Sequence, residues 1–424
     1  MNSATLRAAL ADRFRALRHR NYRLFWLGQL VSLVGTWMQS VAQGWLMHRL
    51  TDSPMMLGLL GFSQFLPVTV FSLWAGVVVD RVDRRKLLIL TQSLALIQAA
   101  TLAVLATLHI VQPWMLLVLA LGFGTINAFD LPARQSVLSE LLDSREDLSN
   151  AIALSSAAFN AARVVGPAVA GAVLVWLGES GCFWLNALSY VAVIAGLVAI
   201  RLPRRSERTP ATLGSLREGA RYALGSRPLL HLLVLIAVCG GIGYQYSTLL
   251  PVYARTIFHS DSRTYGLLMS SFGIGSLCSA IWMTRHHDRW DLRRNLLTGL
   301  LFAGLGQALF AWSRWLPLTF AMGFFSGLGL ILYTASTNTL VQMTTADRFR
   351  GRVMSFYTFM FVGTAPFGAL LAGSIAQRFG APAATSVCAV LLLGGAWWVA
   401  RRLRFLRAEE AASAARAPMT ETLE

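Results

Sequence analysis

Gly76-Val77-Val78-Val79-Asp80-Arg81-Val82-Asp83-Arg84-Arg85-Lys86 is a short, strongly charged turn set between two apolar runs, 54–79 and 87–109. Each run exceeds the roughly 20 apolar residues that cross hydrocarbon as a helix, so the turn carries the chain from one crossing into the next. Its basic residues mark the cytoplasmic side, where short loops collect lysine and arginine. Working outward, further apolar runs fall near 24–47, 113–133, 150–177 and 181–200, and then near 229–254, 264–284, 295–312, 315–340, 352–376 and 381–400. Composition agrees: 55% of the 424 residues are hydrophobic and 13% charged, against about a quarter charged in soluble domains. The expected fold is all-α integral membrane, with twelve transmembrane helices in two six-helix halves and both termini cytoplasmic.

The longest polar stretch, Arg201 to Pro228, separates the sixth run from the seventh. The predicted domains are a cytoplasmic basic N-terminus (1–23), an N-terminal six-helix bundle (24–200), a cytoplasmic linker (201–228), a C-terminal six-helix bundle (229–402) and a cytoplasmic tail (403–424). An internal echo supports two related halves. The fourth run, a charged loop and a fifth run with Gly166-Pro167 are answered by the tenth run, the loop from Asp347 to Arg352 and an eleventh run with Pro366.

Lys and Arg number 37 against 20 Asp and Glu. On the predicted topology the outer loops hold Arg49, Arg255, Arg263, Arg314 and Arg378, and nearly all other basic residues lie inside. That asymmetry orients a membrane protein, whereas nucleic acid would require a clustered basic face, so no nucleic-acid partner is expected. The first run has no small-residue cleavage pattern and is predicted to be retained as a span. The predicted location is the cytoplasmic (inner) membrane, multi-pass, with the lipid bilayer as a partner.

Soluble-enzyme signatures such as H-E-x-x-H, G-x-S-x-G or a P-loop are missing. Cys182, Cys239, Cys278 and Cys388 show no ligand spacing, and His286-His287-Asp288 falls in a predicted cytoplasmic loop as a solvated charge run. No catalytic residue, metal or cofactor is expected, and the protein is predicted not to be an enzyme.

Polar residues inside the spans are more telling. Gln29, Ser32, Thr36, Ser40 and Gln43 fall within about 80° of one another at 100° per residue, with Gln39 beside them. Because an unpaired polar side chain in hydrocarbon is costly, the stripe faces either a water-filled cavity or a neighbouring helix that it holds by hydrogen bonds. A substrate cavity is the favoured expectation, shared with Asn127, Asn160, Arg163, Tyr244, Gln245 and Tyr333. Arg163 lies halfway along the fifth run, on one face with Ser156, Asn160 and Pro167, and an intramembrane charge is by default functional. Asp130 sits near the inner end of the fourth run, about 15 Å from Arg163 in depth at ~1.5 Å per residue, too far for a direct pair.

The opening turn, with its glycine, an aspartate four residues later and a basic run, resembles the loop motif of the major facilitator superfamily. The resemblance implies that Gly76, Asp80, Arg81, Arg84 and Arg85 gate the inner helix ends, with Asp130 completing the charge relay. Asp83 stands where the motif usually has glycine. Ala162-x-x-x-Gly166-Pro167-x-x-Ala170-Gly171 resembles the fifth-helix motif associated with antiporters, with alanine replacing two glycines; Gly166, Pro167 and Gly171 carry the match. Arg20-Asn21-Tyr22-Arg23-Leu24-Phe25-Trp26, Phe129-Asp130-Leu131-Pro132-Ala133-Arg134-Gln135 and Leu216-Arg217-Glu218-Gly219 are similar to the drug:proton antiporter branch that contains the enterobactin exporter.

The resemblance implies a secondary active exporter that moves a small-molecule substrate by alternating access, with protons as the coupling ion. No acid stands near mid-membrane and Arg163 does, so an anionic or neutral amphiphile, siderophore or drug/macrolide-like, fits better than a cation. A monomer is expected. The alternatives are an uptake carrier for a metabolite or lipid and, of a different class, a non-transporting membrane scaffold or enzyme.

Overall fold

The computed structural model describes residues 14–200, 218, 221–241, 243–285 and 291–416. The predicted linker up to Arg217, the terminus up to Arg13 and the His286-His287-Asp288 run lie outside the described residues, as do the side chains of Asp80 and Tyr244.

The described chain is helical almost throughout. Its helices are α1 (Arg20–Thr51), α2 (Pro54–Arg81), α3 (Arg84–Thr107), α4 (Pro113–Val137), α5 (Leu148–Ala199), α6 (Arg227–Leu235), α7 (Tyr246–Val252), α8 (Ser262–Arg285), α9 (Leu292–Trp312), α10 (Leu316–Thr344), α11 (Arg350–Gly363), α12 (Ala365–Phe379) and α13 (Ala381–Arg416). Among the described residues, nine helical stretches are long and apolar enough to cross a membrane, with α11 and α12 counted as one stretch. The α1 helix is not among them, because its polar stripe dilutes its hydropathy. The seventh run is broken: wide π turns at Ile236–Gly240 and Tyr253–Ile257 flank a tight turn at Gly243–Gln245 and the short α7.

Helix starts are written locally. Ser53 caps α2 by accepting the Met56 N–H at 3.4 Å, and Pro54 takes the first helical position, where its missing N–H costs nothing. At ~1.5 Å per residue the 52-residue α5 is roughly 78 Å long, more than twice the hydrocarbon thickness. It folds back at Gly178, whose φ of 65° and ψ of −169° belong to a region that only glycine enters freely. The expected fifth and sixth runs meet there.

Positions in the two halves of the sequence echo one another in backbone geometry. Asp83 and Asp291 cap α3 and α9 at φ −64° with ψ 113° and 112°. The sequence repeats with them, Asp80-Arg81-Val82-Asp83 against Asp288-Arg289-Trp290-Asp291. Gly178 is answered by Gly380 at φ 85°, and Asp52 at φ 47° by His259 at φ 48°.

The α5 helix packs against α1 and α3, α2 against α4, α10 against α8 and α9, and α9 against α13, while α5–α8 and α2–α12 join the first half of the chain to the second. Small residues bring these backbones together, as membrane interfaces require. A Cβ on Gly327 would lie 2.0 Å from the Phe272 carbonyl oxygen across α8 and α10, and one on Gly266 would lie 2.5 Å from that of Pro167 across α8 and α5.

Contacts between the halves gather where α1 ends and α2 begins. His48 Nε2 meets Thr256 Oγ1 at 3.3 Å, Arg255 donates to the His48 carbonyl at 3.3 Å and pairs with Asp52 at 3.3 Å. Trp45 stacks on Tyr265 with ring centres 6.1 Å apart, and Ser53 Oγ donates to Gln377 Oε1 at 2.8 Å. At the opposite end, Ser156 is exposed and Phe159 is 44% exposed.

Candidate functional site

At the end of the molecule where α3 begins, buried charges tie helices of the first half together. Asp130 on α4 is 1% exposed. It accepts from Thr91 Oγ1 at 2.7 Å and Gln92 Nε2 at 2.8 Å, both on α3. It pairs with Arg134 one turn along α4, and Arg134 donates in turn to Gln29 on α1. Three helices are thus linked through one carboxylate, which is how a charge is tolerated away from water.

Arg84 pairs with Glu140 in the turn after α4, while Arg85 donates to the carbonyls of Leu197 and Val198 at 2.7 Å each. These are end carbonyls of α5, which carry partial negative charge. Of the residues expected in the gating relay, Arg84 thus pairs with Glu140 and Asp130 with Arg134. Arg81 is exposed, and Gly76 is half-buried with open space where a side chain would be. Nearby, His19 lies between Asp143 at 2.8 Å and Asp147 at 2.7 Å, and these hydrogen bonds, to Asp143 first, raise its pKa above the ordinary value.

Most of the polar stripe of α1 is hydrogen-bonded to neighbouring helices. Gln39 Nε2 donates to Gln98 Oε1 at 3.0 Å, and Asn186 Nδ2 donates to Gln39 Oε1 at 2.7 Å. Gln43 donates to the Leu116 carbonyl at 3.2 Å, and Thr36 Oγ1 meets Tyr190 Oη at 3.2 Å. Ser32 is 1% exposed. Gln29, Thr36, Gln39 and Gln43 thus hydrogen-bond α1 to α3, α4 and α5, the second of the two roles open to a polar stripe. Helical spacing identifies a face but not what covers it.

The remaining expected cavity residues separate. Ser40, half-buried, donates to the Thr36 carbonyl at 3.1 Å, and Asn127 is half-buried on α4. Gln245 Nε2 donates to the Gly241 carbonyl at 2.8 Å, satisfying backbone at the break before α7. Tyr333 is fully buried in the core beside α9. Asn160, half-buried, donates to the Ser156 carbonyl at 2.9 Å.

Arg163 occupies the most unusual position. It is 5% exposed, its Nη2 donates to the Tyr246 hydroxyl at 3.2 Å, and its guanidinium carbon lies 6.0 Å from the centre of the Trp37 ring. Trp37 meets Phe159 edge to face at 6.0 Å, and Tyr246 stacks on Phe272 at 3.9 Å with 11° between planes. Gly166 creates the close crossing that brings Trp37 over this group: a Cβ there would lie 2.5 Å from Trp37 Cβ. Pro167 and Gly171 form the α5 contact with α8. The result is one guanidinium between the Trp37 and Tyr246 rings, with Phe272 stacked on Tyr246 and the exposed Phe159 against Trp37. A guanidinium matches the fork of a carboxylate or phosphate, and the exposed Phe159 and half-buried Trp37 have apolar surface for the rest of an amphiphile.

Trp37, Phe159, Tyr246 and Glu140 were not singled out in the sequence, and Arg134 entered only within the motif from Phe129 to Gln135. Trp37 carried a signal, since it falls in the middle of a run, away from the ends where interfacial tryptophans sit. Arg134 follows Asp130 at the i,i+4 spacing of a helical ion pair.

A family model described as transmembrane secretion effector matches residues 11–424. The chain is 27% identical over 368 residues to the multidrug efflux pump Tap of Mycolicibacterium fortuitum, covering 83% of this chain and 88% of the relative. It is 25% identical to the staphyloferrin A transporter of Staphylococcus aureus, over 84% and 90%. Among solved structures, an inward-facing, unoccupied bacterial homologue of the human lysosomal transporter Spinster superposes with a TM-score of 0.72 at 14% identity, over 90% and 96% of the chains. The chain thus belongs to the transmembrane secretion effector family of the major facilitator superfamily, and it is a multi-pass membrane transporter of small molecules and not an enzyme.

Proposed function

We propose that the protein is a secondary active exporter of small amphiphilic compounds, anionic or neutral, driven across the cytoplasmic membrane by proton antiport. The observation that carries this reading is Arg163, a buried guanidinium held between Trp37 and Tyr246 beside the exposed Phe159. An arginine kept inside a bilayer is costly unless it serves cargo or structure. The names of the relatives, a multidrug efflux pump and a staphyloferrin A transporter, support export of drug-like or siderophore cargo.

In this reading twelve crossings form two six-helix halves, 24–200 and 229–402, with cytoplasmic termini, and the protein works as a monomer. The halves rock about the α5–α8 and α2–α12 contacts. The pairs from His48 to Gln377 close the outer end, so the cavity opens inward. Arg84 with Glu140, and Asp130 with Arg134, keep the inner helix ends of the first half moving as one body.

The test is retention of a catecholate siderophore, a macrolide and a cationic dye in efflux-deficient cells, with and without the protein and an uncoupler. Lower retention of the siderophore or macrolide, reversed by the uncoupler, is expected. Retention that rises, or that is unchanged across the panel, overturns the proposal in favour of uptake or a non-exporting role.

A further inference from the structure

Building on the reading of Arg163 as the anion-binding group, we infer that Arg163 and Tyr246 form a latch between the halves that the cargo itself releases. The acidic group of an incoming compound takes the guanidinium from the Tyr246 hydroxyl, which removes one of the ties between the halves and shifts the closed end toward parting.

The bond has the placement this requires. Arg163 belongs to α5 in the first half of the chain and Tyr246 to α7 in the second. Beside it, Ser270 Oγ of the second half donates to the Val164 carbonyl at 3.1 Å, and Gly273 lies against the Arg163 backbone. Beyond it along α5 come Pro167 against Gly266 and Gly171 against Arg263.

The element that carries Tyr246 is suited to shift. It opens a seven-residue helical piece with a tight turn before it and a π turn after it. Such interruptions absorb changes of register without breaking a continuous helix. Gln245 already satisfies the Gly241 carbonyl at the break, so movement there leaves little backbone unpaired. The Tyr246 ring is anchored independently by its stack on Phe272, so the hydroxyl bond can be lost while the ring stays in place.

The chemistry gives the direction. A ligand moves a two-state equilibrium only by the difference in its affinity for the two states. In the closed form an anion must displace the phenol, and in the parted form it need not, so the latch itself creates that difference. A carboxylate brings a full opposite charge and a two-oxygen fork to the guanidinium, which a neutral phenol oxygen does not. Exchange therefore favours anions, while a neutral or cationic compound gains nothing by it.

The experiment reads the closed end without requiring transport. Spin labels are placed at Leu108→Cys and Trp315→Cys, exposed positions in different halves, after replacement of Cys182, Cys239, Cys278 and Cys388. Distances are measured in lipid nanodiscs. Without ligand, Tyr246→Phe and Arg163→Gln are each expected to raise the ratio of long to short distance by roughly tenfold, the weight of one charge-assisted hydrogen bond. The double variant is expected to go no further than either single one. Carboxyfluorescein should lengthen the distance in the unmodified pair but not in the Arg163→Gln variant, and the cation rhodamine 6G should leave both unchanged.

An unchanged ratio in Tyr246→Phe, or additive effects in the double variant, overturns the latch. A response to both dyes, or to neither, overturns release by an anion even when the single variants open. Absence of export in the retention panel with these distance shifts intact overturns the exporter reading and leaves the latch standing.

Discussion

Replacing Arg163 with glutamine is expected to abolish export of anionic cargo while leaving the protein folded in the membrane. Glutamine keeps some hydrogen-bonding capacity but removes the buried charge, and truncating one partner of a desolvated charge pair costs about 2–5 kcal/mol. In transport this is a fall of roughly 30- to 5,000-fold in the ratio of maximal rate to half-saturation concentration. Arg163→Lys retains charge without the planar fork and should fall in between. Export of a neutral macrolide should suffer far less, since it has no group to exchange for the guanidinium. Initial export rates, normalised to the amount of monodisperse protein in the membrane, make the measurement. Unchanged export of an anionic compound in the glutamine variant would remove Arg163 from the cargo site.

The second large effect concerns stability. Asp130→Ala leaves Arg134 without its ion pair and leaves Thr91 and Gln92 without their shared acceptor. Breaking a buried pair from one side typically costs about 3–5 kcal/mol, a large share of a domain's total stability. The expected result is a strong loss of monodisperse protein and a lowered melting temperature in detergent. Asp130→Asn, which keeps an acceptor for Thr91, should be milder. Replacing Asp130 and Arg134 together with leucine should recover much of the loss, because an apolar pair of similar volume removes the unpaired charge. If Asp130→Ala melts like the unmodified protein, the link between α1, α3 and α4 does not hold the inner ends together.

Much of the fold was legible before the coordinates. Apolar length, the charged turn from Asp80 to Lys86 and the loop asymmetry sufficed for a polytopic helical protein, because the bilayer admits few alternatives. The broken seventh run was not read from the sequence, although Gly240, Gly241 and Gly243 fall inside it; at the π turn Ile236–Gly240, Thr364 of the eleventh run donates to the Ala237 carbonyl at 2.9 Å. The repeat of Asp80-Arg81-x-Asp83 at Asp288-Arg289-x-Asp291 was present in the letters, and its structural counterpart is the matched caps of α3 and α9.

The site was legible only in part. Arg163 stood out because charge is rare inside a span, and the stripe from Gln29 to Gln43 because polar residues repeat there. Which side of α1 meets other helices is decided by Gln98, Leu116, Asn186 and Tyr190, residues remote in sequence whose arrival no local pattern announces. The aromatic group around Arg163 escaped for the same reason, since Trp37, Phe159 and Tyr246 converge from three helices and each reads alone as ordinary core.

Purified protein in vesicles offers the most direct measurement. A pH-sensitive dye inside the vesicles and a transported anion found in the retention panel report both fluxes at once, under an imposed proton gradient. Coupled movement is predicted, with the anion accumulating against its gradient as protons run down theirs, and with both fluxes lost in Arg163→Gln. Anion movement that proceeds equally after the proton gradient is collapsed, or that survives in Arg163→Gln, would contradict proton-driven export through this site.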